Sequence, residues 1–458
     1  MKTFIGIGGL ASSILASGVA AGPSPVLAER TTSTLTPITV TGNAFYQGSE
    51  RFYIRGVDYQ PGGGAGVESD PIANIKDCNR DIPYFTKLGI NTIRVYAIDN
   101  SKNHDDCMNA LAAAGIYLIL DASTSKYSLN RADPQRSYNS VYLQSVFATI
   151  DAFHNYSNTL AFLSGNEVIN NATNTNCAPY VKAVTRDMKQ YIRSRGYRAI
   201  PVGYSAADVT ENQEAMANYM NCGTVEQRSD FYAINDYSWC DPSSFTTSGW
   251  NTLVAHYTGF GIPLFMSEYG CITNGRTFQE VATLYSTNMT AVFSGGLVYE
   301  YSEEGNGYGL VSISGDTIST NSDFSYLSSA YAAATNPSGN GGATSTSAST
   351  TCPTESADWQ VANNDPVAIP SAAEKFMSSG AGTGPGLAGA GSQEAGSVDD
   401  ESLGTASAGS STVTPMATAS ASATHKKNSG AKIPAMDGQM LFAVAVVVFS
   451  AMSGTLLL

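Results

Sequence analysis

Eight short apolar runs recur along the chain, each closing on polar or aromatic residues: Phe52–Gln60, Asn91–Ile98, Ile116–Ser123, Leu160–Glu167, Ala199–Ser205, Phe231–Tyr237, Pro263–Tyr269 and Gly296–Ser302. Runs this short, apolar on consecutive rather than alternate positions, are the pattern of parallel strands buried on both faces. Between them the spacing changes to three and four, as at Tyr180, Val181, Val184, Met188, Tyr191 and Ile192, which predicts amphipathic helices. Eight such alternations over about 250 residues predict an α/β fold, a (β/α)8 TIM barrel, with its working groups where the strands end. An open doubly wound sheet is the structural alternative. The glycines of Gly62-Gly63-Gly64-Ala65-Gly66 have neither the spacing nor the following Lys of a phosphate cradle, so they are expected to form a rim loop or turn.

The pattern fails at both ends. Lys2 precedes an apolar stretch, Phe4 to Ala21, that is short for a span and closes on small residues at Val19-Ala20-Ala21-Gly22, predicting a cleaved secretory signal over residues 1–21. The barrel is then expected over residues 22–335. Residues 336–428 are rich in Ser, Thr, Gly and Ala and poor in aromatics apart from Trp359 and Phe376, so a disordered, O-glycosylated stalk is expected, tied to the barrel at its foot by Cys352. A second apolar run, Met440 to Leu458, ends the chain. Small residues at Asn428-Ser429-Gly430 precede it by a spacer of about ten residues, the arrangement of a glycosylphosphatidylinositol (GPI) signal over residues 429–458. Attachment is expected at Asn428 or Ser429, placing the protein on the outer face of the plasma membrane or in a cell wall; a tail-anchoring helix is the alternative.

Secretion makes disulfides the expected state of the seven cysteines, Cys78, Cys107, Cys177, Cys222, Cys240, Cys271 and Cys352, with one left over. No CxxC pair or histidine cluster accompanies them, so neither a metal site nor a cofactor is expected. Sequons at Asn155, Asn171 and Asn288 suit an extracellular glycoprotein. The net charge of −14, with no basic run beyond His425-Lys426-Lys427, argues against nucleic acid as a partner.

The candidate chemistry lies at two strand ends. Leu160-Ala161-Phe162-Leu163-Ser164-Gly165 delivers Asn166-Glu167 to the fourth rim position, and Pro263-Leu264-Phe265-Met266-Ser267 delivers Glu268 to the seventh. Two carboxylates facing across a cleft about 5 Å apart are the equipment of retaining glycoside cleavage, one protonating the departing oxygen and the other attacking the anomeric carbon. Asn166 is placed to bond a sugar hydroxyl beside the reacting carbon, and Tyr237 to hold the nucleophile. Tyr59, Tyr96, Tyr237, Tyr269, Tyr299, Tyr301 and Tyr308 lie at the rims, where phenols suit sugars through ring face and hydroxyl alike. About half are expected to be wall packing; Tyr96, Tyr237 and Tyr299 are the preferred sugar contacts. A protonated Glu167 and an ionised Glu268 predict a bell-shaped rate profile with an acidic optimum.

The motifs Gly56-Val57-Asp58-Tyr59-Gln60-Pro61-Gly62-Gly63, Cys78-Asn79-Arg80-Asp81-Ile82-Pro83-Tyr84, Arg94-Val95-Tyr96-Ala97-Ile98, Gly165-Asn166-Glu167-Val168, Ser267-Glu268-Tyr269-Gly270-Cys271 and Gly295-Gly296-Leu297-Val298-Tyr299-Glu300-Tyr301-Ser302 resemble those of glycoside hydrolase family 72, the fungal cell-wall β-1,3-glucanosyltransferases. The resemblance spans residues 35–335. It implies an enzyme that cuts inside a β-1,3-glucan donor and passes the new reducing end to the non-reducing end of a glucan acceptor. Carried over by motif, Glu167 is the acid/base and Glu268 the nucleophile, while Tyr96, Asp121, Asn166, Tyr237 and Tyr299 match cleft positions. Asn235, Asp236, Tyr301 and Tyr308 complete the candidate substrate-binding set. The family's disulfide pattern implies Cys78–Cys107, Cys222–Cys352 and Cys240–Cys271, leaving Cys177 unpaired. The cysteine-rich carbohydrate-binding module of some members is missing after residue 335, so the chain resembles the short form, expected to be a monomer. A hydrolytic endo-β-1,3-glucanase and an inactive glucan-binding wall protein are the competing readings.

Overall fold

The computed structural model describes residues 35–63, 69–393 and 395. The expected signal, the expected anchor signal and the part of the expected stalk beyond residue 395 lie outside the described residues.

Eight parallel strands close into a barrel in chain order: β1 (Ile54–Asp58), β2 (Thr92–Val95), β3 (Tyr117–Asp121), β4 (Thr159–Asn166), β5 (Val202–Ala207), β6 (Phe231–Asp236), β7 (Leu264–Tyr269) and β8 (Phe293–Val298). Every expected run overlaps its strand. β8 begins three residues before the expected Gly296 and ends four before the expected Ser302. Gly295-Gly296 looks like punctuation in the sequence, but a Cβ on Gly295 would lie 2.0 Å from the Ile54 carbonyl oxygen of β1. Only glycine lets the last strand approach the first closely enough to close the barrel.

The helices follow from capping and periodicity together. Asn74 accepts from the Lys76 N–H to start the helix Ile75–Leu88, which Gly89 ends in the left-handed conformation. Asn139 caps the helix Ser140–Phe153 in the same way. In the helix Ala178–Ser194, Val181, Val184, Met188, Tyr191 and Ile192 are buried as their spacing predicts.

The core has two compartments. Inside the barrel, Ile119, Leu160, Leu163, Phe231, Phe265 and Leu297 pack together, and the N-terminal strands Ile38–Thr41, Ala44–Gln47 and Glu50–Phe52 add Ile38, Phe45 and Phe52. Phe45 meets Phe231 and Phe265 with centroids 5.9 and 6.0 Å apart, corking the end opposite the strand C-termini. The larger apolar layer lies between strands and helices. Disulfides join Cys78 to Cys107, Cys222 to Cys352 and Cys240 to Cys271, and Cys177 is free and buried.

Over its first part, residues 336–393, the expected stalk is not disordered. Residues 336–393 lie on the outside of the barrel, with Trp359, Val361, Ala368, Ile369, Ala373 and Ala381 buried. The Trp359 ring sits 5.4 Å from that of Tyr219. Composition misleads here because the segment needs no core of its own: a few apolar residues fill depressions between the barrel helices, and small residues let its backbone lie close against them.

Candidate active site

Glu167 follows the last residue of β4 with φ +49°, a left-handed conformation uncommon for any residue but glycine. It is held there from both sides. Its N–H donates to the Ser205 carbonyl at 2.9 Å, and the Arg131 guanidinium donates to the Glu167 and Val168 carbonyls at 2.7 and 2.9 Å. Strain of this kind persists where surrounding structure overdetermines it, commonly at functional sites. The carboxylate accepts a 2.8 Å hydrogen bond from Asn235 Nδ2.

Glu268 sits inside β7, 7% exposed. Its Oε1 accepts from the Tyr96 hydroxyl at 2.9 Å and from Arg94 Nη1 at 3.2 Å, and its Oε2 accepts from the Tyr237 hydroxyl at 2.8 Å. Burial pushes the Glu268 carboxyl up to about 7 and the Glu167 charge adds to the rise, while Arg94, Tyr237 and Tyr96 pull it back. Burial also raises both phenols, so they remain donors. The two acidic residues therefore differ in support. Glu268 has three donors, one of them cationic, and Glu167 has one neutral amide.

Behind the pair lies a polar floor. Arg94, fully buried in β2, reaches Asp121 through Nε (2.8 Å) and Nη2 (3.2 Å) as well as Glu268. Ser205 Oγ bonds Asn166 Oδ1 (2.8 Å), Asn235 Oδ1 (3.0 Å) and Ser267 Oγ (2.8 Å). Asn166 Oδ1 is thus occupied by protein donors, while its Nδ2 has no acceptor among the described residues and remains available to a ligand. Asp58, fully buried, has no hydrogen-bond partner on either oxygen among the described residues, and burial drives its carboxyl well above the usual range, favouring the neutral acid.

Tyr96, Tyr237, Tyr299 and Tyr308 form one wall, with centroids 6.5 Å apart for Tyr96–Tyr299, 6.4 Å for Tyr237–Tyr299 and 5.3 Å for Tyr299–Tyr308. Arg276 fixes this wall by donating to the Tyr299 and Tyr308 carbonyls at 2.7 and 2.6 Å. The open cleft beside it, about 830 Å³, is bordered by Tyr96, Asp121, Asn166, Glu167, Glu268 and Tyr299. That volume and its polar lining suit several linked sugar units.

The structure places some candidates elsewhere. Tyr301 is fully buried against Phe85 and Tyr59 and donates to Asp81 at 3.1 Å, so it is core rather than a substrate contact. Asp236 is turned out of the barrel, accepting from Ser238 and from the Trp250 indole at 3.2 Å, because alternate strand positions face opposite ways. Tyr59 and Tyr269 are packing as well, each 1% exposed. Asp121 borders the cleft but both its oxygens engage Arg94, and Asn235, 2% exposed, orients Glu167. Sequence reasoning assigned no role to Arg94, Ser205, Ser267 or Glu300. An arginine within an apolar strand was the available signal for the first. Glu300, also on the cleft, is 3% exposed, accepts from Asn306 at 2.6 Å and is pushed by burial up to about 7. The three sequon asparagines, Asn155, Asn171 and Asn288, are exposed.

A family profile described as glucanosyltransferase matches residues 27–335. The chain is similar to a 1,3-beta-glucanosyltransferase, gel1, of Aspergillus fumigatus, at 60% identity over 382 residues, 82% of this chain and 84% of the relative. It is similar also to the 1,3-beta-glucanosyltransferase GAS5 of Saccharomyces cerevisiae, at 51% identity covering 79% of this chain and 76% of that one. Among solved structures, a mutant of Saccharomyces cerevisiae Gas2p in complex with laminaritetraose and laminaripentaose superposes with a TM-score of 0.67 at 39% identity, covering 72% of this chain and 74% of that one.

Proposed function

The chain belongs to the glucanosyltransferase family, glycoside hydrolase family 72, and from that premise we propose that it is a β-1,3-glucanosyltransferase that breaks an internal linkage of one glucan and joins the released reducing end to another by a retaining double displacement. The observation that carries the reading is the unequal support of the two carboxylates across one cleft: Glu268 on three donors, Glu167 on one.

In the first half-reaction the Glu167 carboxyl gives its proton to the glycosidic oxygen as that bond breaks, and a Glu268 oxygen bonds to the anomeric carbon. The leaving fragment departs with a new hydroxyl, and Glu167 is left as the carboxylate. In the second, Glu167 takes the proton from a hydroxyl at the non-reducing end of the acceptor while that oxygen displaces Glu268. Two inversions restore the β configuration, and both carboxyl groups return to their starting states. Asn166 Nδ2 is positioned to bond a hydroxyl of the reacting sugar, and the wall of Tyr96, Tyr237 and Tyr299 to stack on sugar faces. Whether water or a sugar hydroxyl reaches the intermediate separates transfer from hydrolysis.

The same reading extends to the ends of the chain. The signal over residues 1–21, the anchor site at Asn428 or Ser429 and a stalk from residue 396 onward fit a monomeric enzyme held at the outer face of the plasma membrane, beside its polymer substrate. Among the described residues no helix is long and apolar enough to cross a membrane.

Incubation of the purified protein with a reduced laminarin oligosaccharide tests the reaction. Products longer than the donor are expected; products that are only shorter would sink transfer and leave hydrolysis.

A further inference from the structure

After Trp359 and two short helical turns, Ser371–Glu374 and Phe376–Ser379, the chain runs as a strap back to the mouth of the catalytic cleft. The barrel holds it with side-chain donors and acceptors. Gln144 Nε2 donates to the Ala381 and Thr383 carbonyls at 3.0 and 2.8 Å, Asn100 Oδ1 accepts from the Gly386 N–H at 2.9 Å, and Lys126 Nζ donates to the Leu387 carbonyl at 2.6 Å. Further on, Asn139 Nδ2 donates to the Ser392 carbonyl at 2.9 Å.

The strap's small residues have a steric reason. A Cβ on Gly384 or Gly386 would come within 2.3 Å of Asn100 Oδ1 or Asp99 Oδ1, and one on Gly389 within 2.0 Å of the Tyr127 hydroxyl. The backbone thus lies directly against the loops that follow β2 and β3. The second of these loops, residues 123–132, forms part of the cleft wall and carries Arg131, which holds the Glu167 backbone. At the end of the strap, Gln393 itself borders the cleft. Its Nε2 is fixed by the Ser128 carbonyl and hydroxyl at 2.8 and 3.0 Å, and its Oε1 accepts from none of the described residues. On a half-buried side chain that borders a polar cleft and is clamped through its own amide, the carbonyl oxygen is a preorganised acceptor for a hydroxyl.

We propose that the strap Ala381–Gln393 is a wall of the glucan-binding cleft and that Gln393 accepts a hydrogen bond from a sugar hydroxyl, making this segment outside the barrel a determinant of which glucan lengths the enzyme takes. The inference rests on the glucanosyltransferase reading and adds to it a specificity residue well past residue 335, where the family match ends.

The experiment uses the full chain and a ladder of reduced laminarin oligosaccharides, with kcat and KM measured at each length. Gln393→Ala is expected to lower the ratio of kcat/KM for long over short donors by about 2- to 10-fold, the range for one neutral hydrogen bond, with the change carried in KM. Gly386→Val, whose side chain cannot coexist with Asp99 in the present geometry, dislodges the strap without touching the cleft and should shift the ratio in the same direction. An unchanged ratio in Gln393→Ala, or an equal loss at every length carried in kcat, overturns the proposal. A wild-type protein with no turnover on any β-1,3-glucan would instead remove the functional reading, so the two failures are distinguishable.

Discussion

The Arg94 guanidinium bridges Asp121 and Glu268, 2.8 Å from the first and 3.2 Å from the second, with its side chain fully buried. Asp121 takes two of its nitrogens, so the arginine is fixed and presents its remaining N–H group to the nucleophile as a preorganised positive charge. Removing that charge raises the Glu268 carboxyl further, since burial already pushes it up to about 7. Because the nucleophile must be ionised, the acid limb of kcat/KM should move to higher pH in Arg94→Met. Asp121→Asn, which frees Arg94 to lean on Glu268 alone, should move it the other way. An acid limb that stays in place in both variants would separate Arg94 from the nucleophile's ionisation.

The two carboxylates should respond to azide in opposite senses. In Glu167→Ala the nucleophile survives, so an aryl glucoside with a good leaving group still forms the covalent intermediate, and azide entering in place of the deprotonated acceptor gives a β-glycosyl azide. In Glu268→Ala the azide enters the vacated nucleophile position from the other face and gives the α product. Configuration of the azides by NMR checks the assignment; exchanged stereochemistry would reverse the two roles.

The eight strands and both carboxylates were legible because β strands buried on both faces are continuous apolar runs, and a charge at the end of such a run stands out. What decides the ionisation was less legible. Ser205, Ser267 and Asn235 meet only through barrel closure, from β5, β7 and β6, and nothing local marks a serine as facing inward. Tyr301 and Asp236 show the converse. Each is one residue from a group that does face the cleft, and a step of one along an extended chain reverses the side a residue faces. Trp359 was visible as an isolated aromatic, but its place beside Tyr219 depends on the long loop closed by Cys222–Cys352, which periodicity cannot register.

Stability should rise as pH falls from about 7 toward 5. Burial raises Glu268 and Glu300 to about 7 and Glu280 to about 8. Across this window the folded protein binds more protons than the unfolded chain, so unfolding free energy decreases with rising pH. Asp99 and Glu303 are shifted down instead, and what they contribute is lost only below the usual carboxylate range. Lys182, lowered by burial to about 7, reverses part of the trend only above that value. Thermal unfolding followed by circular dichroism should give a higher midpoint at about pH 5.5 than at pH 7, with each kcal/mol worth about 2–4 °C. A midpoint that rises with pH across this interval would contradict the burial of these three groups.

The packed strap makes the last prediction, which concerns where the folded unit ends. If residues 336–393 were a stalk, Trp359→Ala would be neutral, because an indole in water loses nothing by truncation. In the structure the residue is 1% exposed, its ring lies tilted against Tyr219 and it stands seven residues past the cysteine that closes on Cys222, so its removal opens a large cavity at the barrel surface. Trp359→Ala should therefore cost about 3–5 kcal/mol of unfolding free energy, the range for a buried aromatic truncated to alanine. Denaturant titration of the variant and the parent checks it with the disulfides intact in both. A cost below about 1 kcal/mol, the size expected of an exposed position, would return the segment to the status of a stalk and remove the physical support for Gln393 at the cleft.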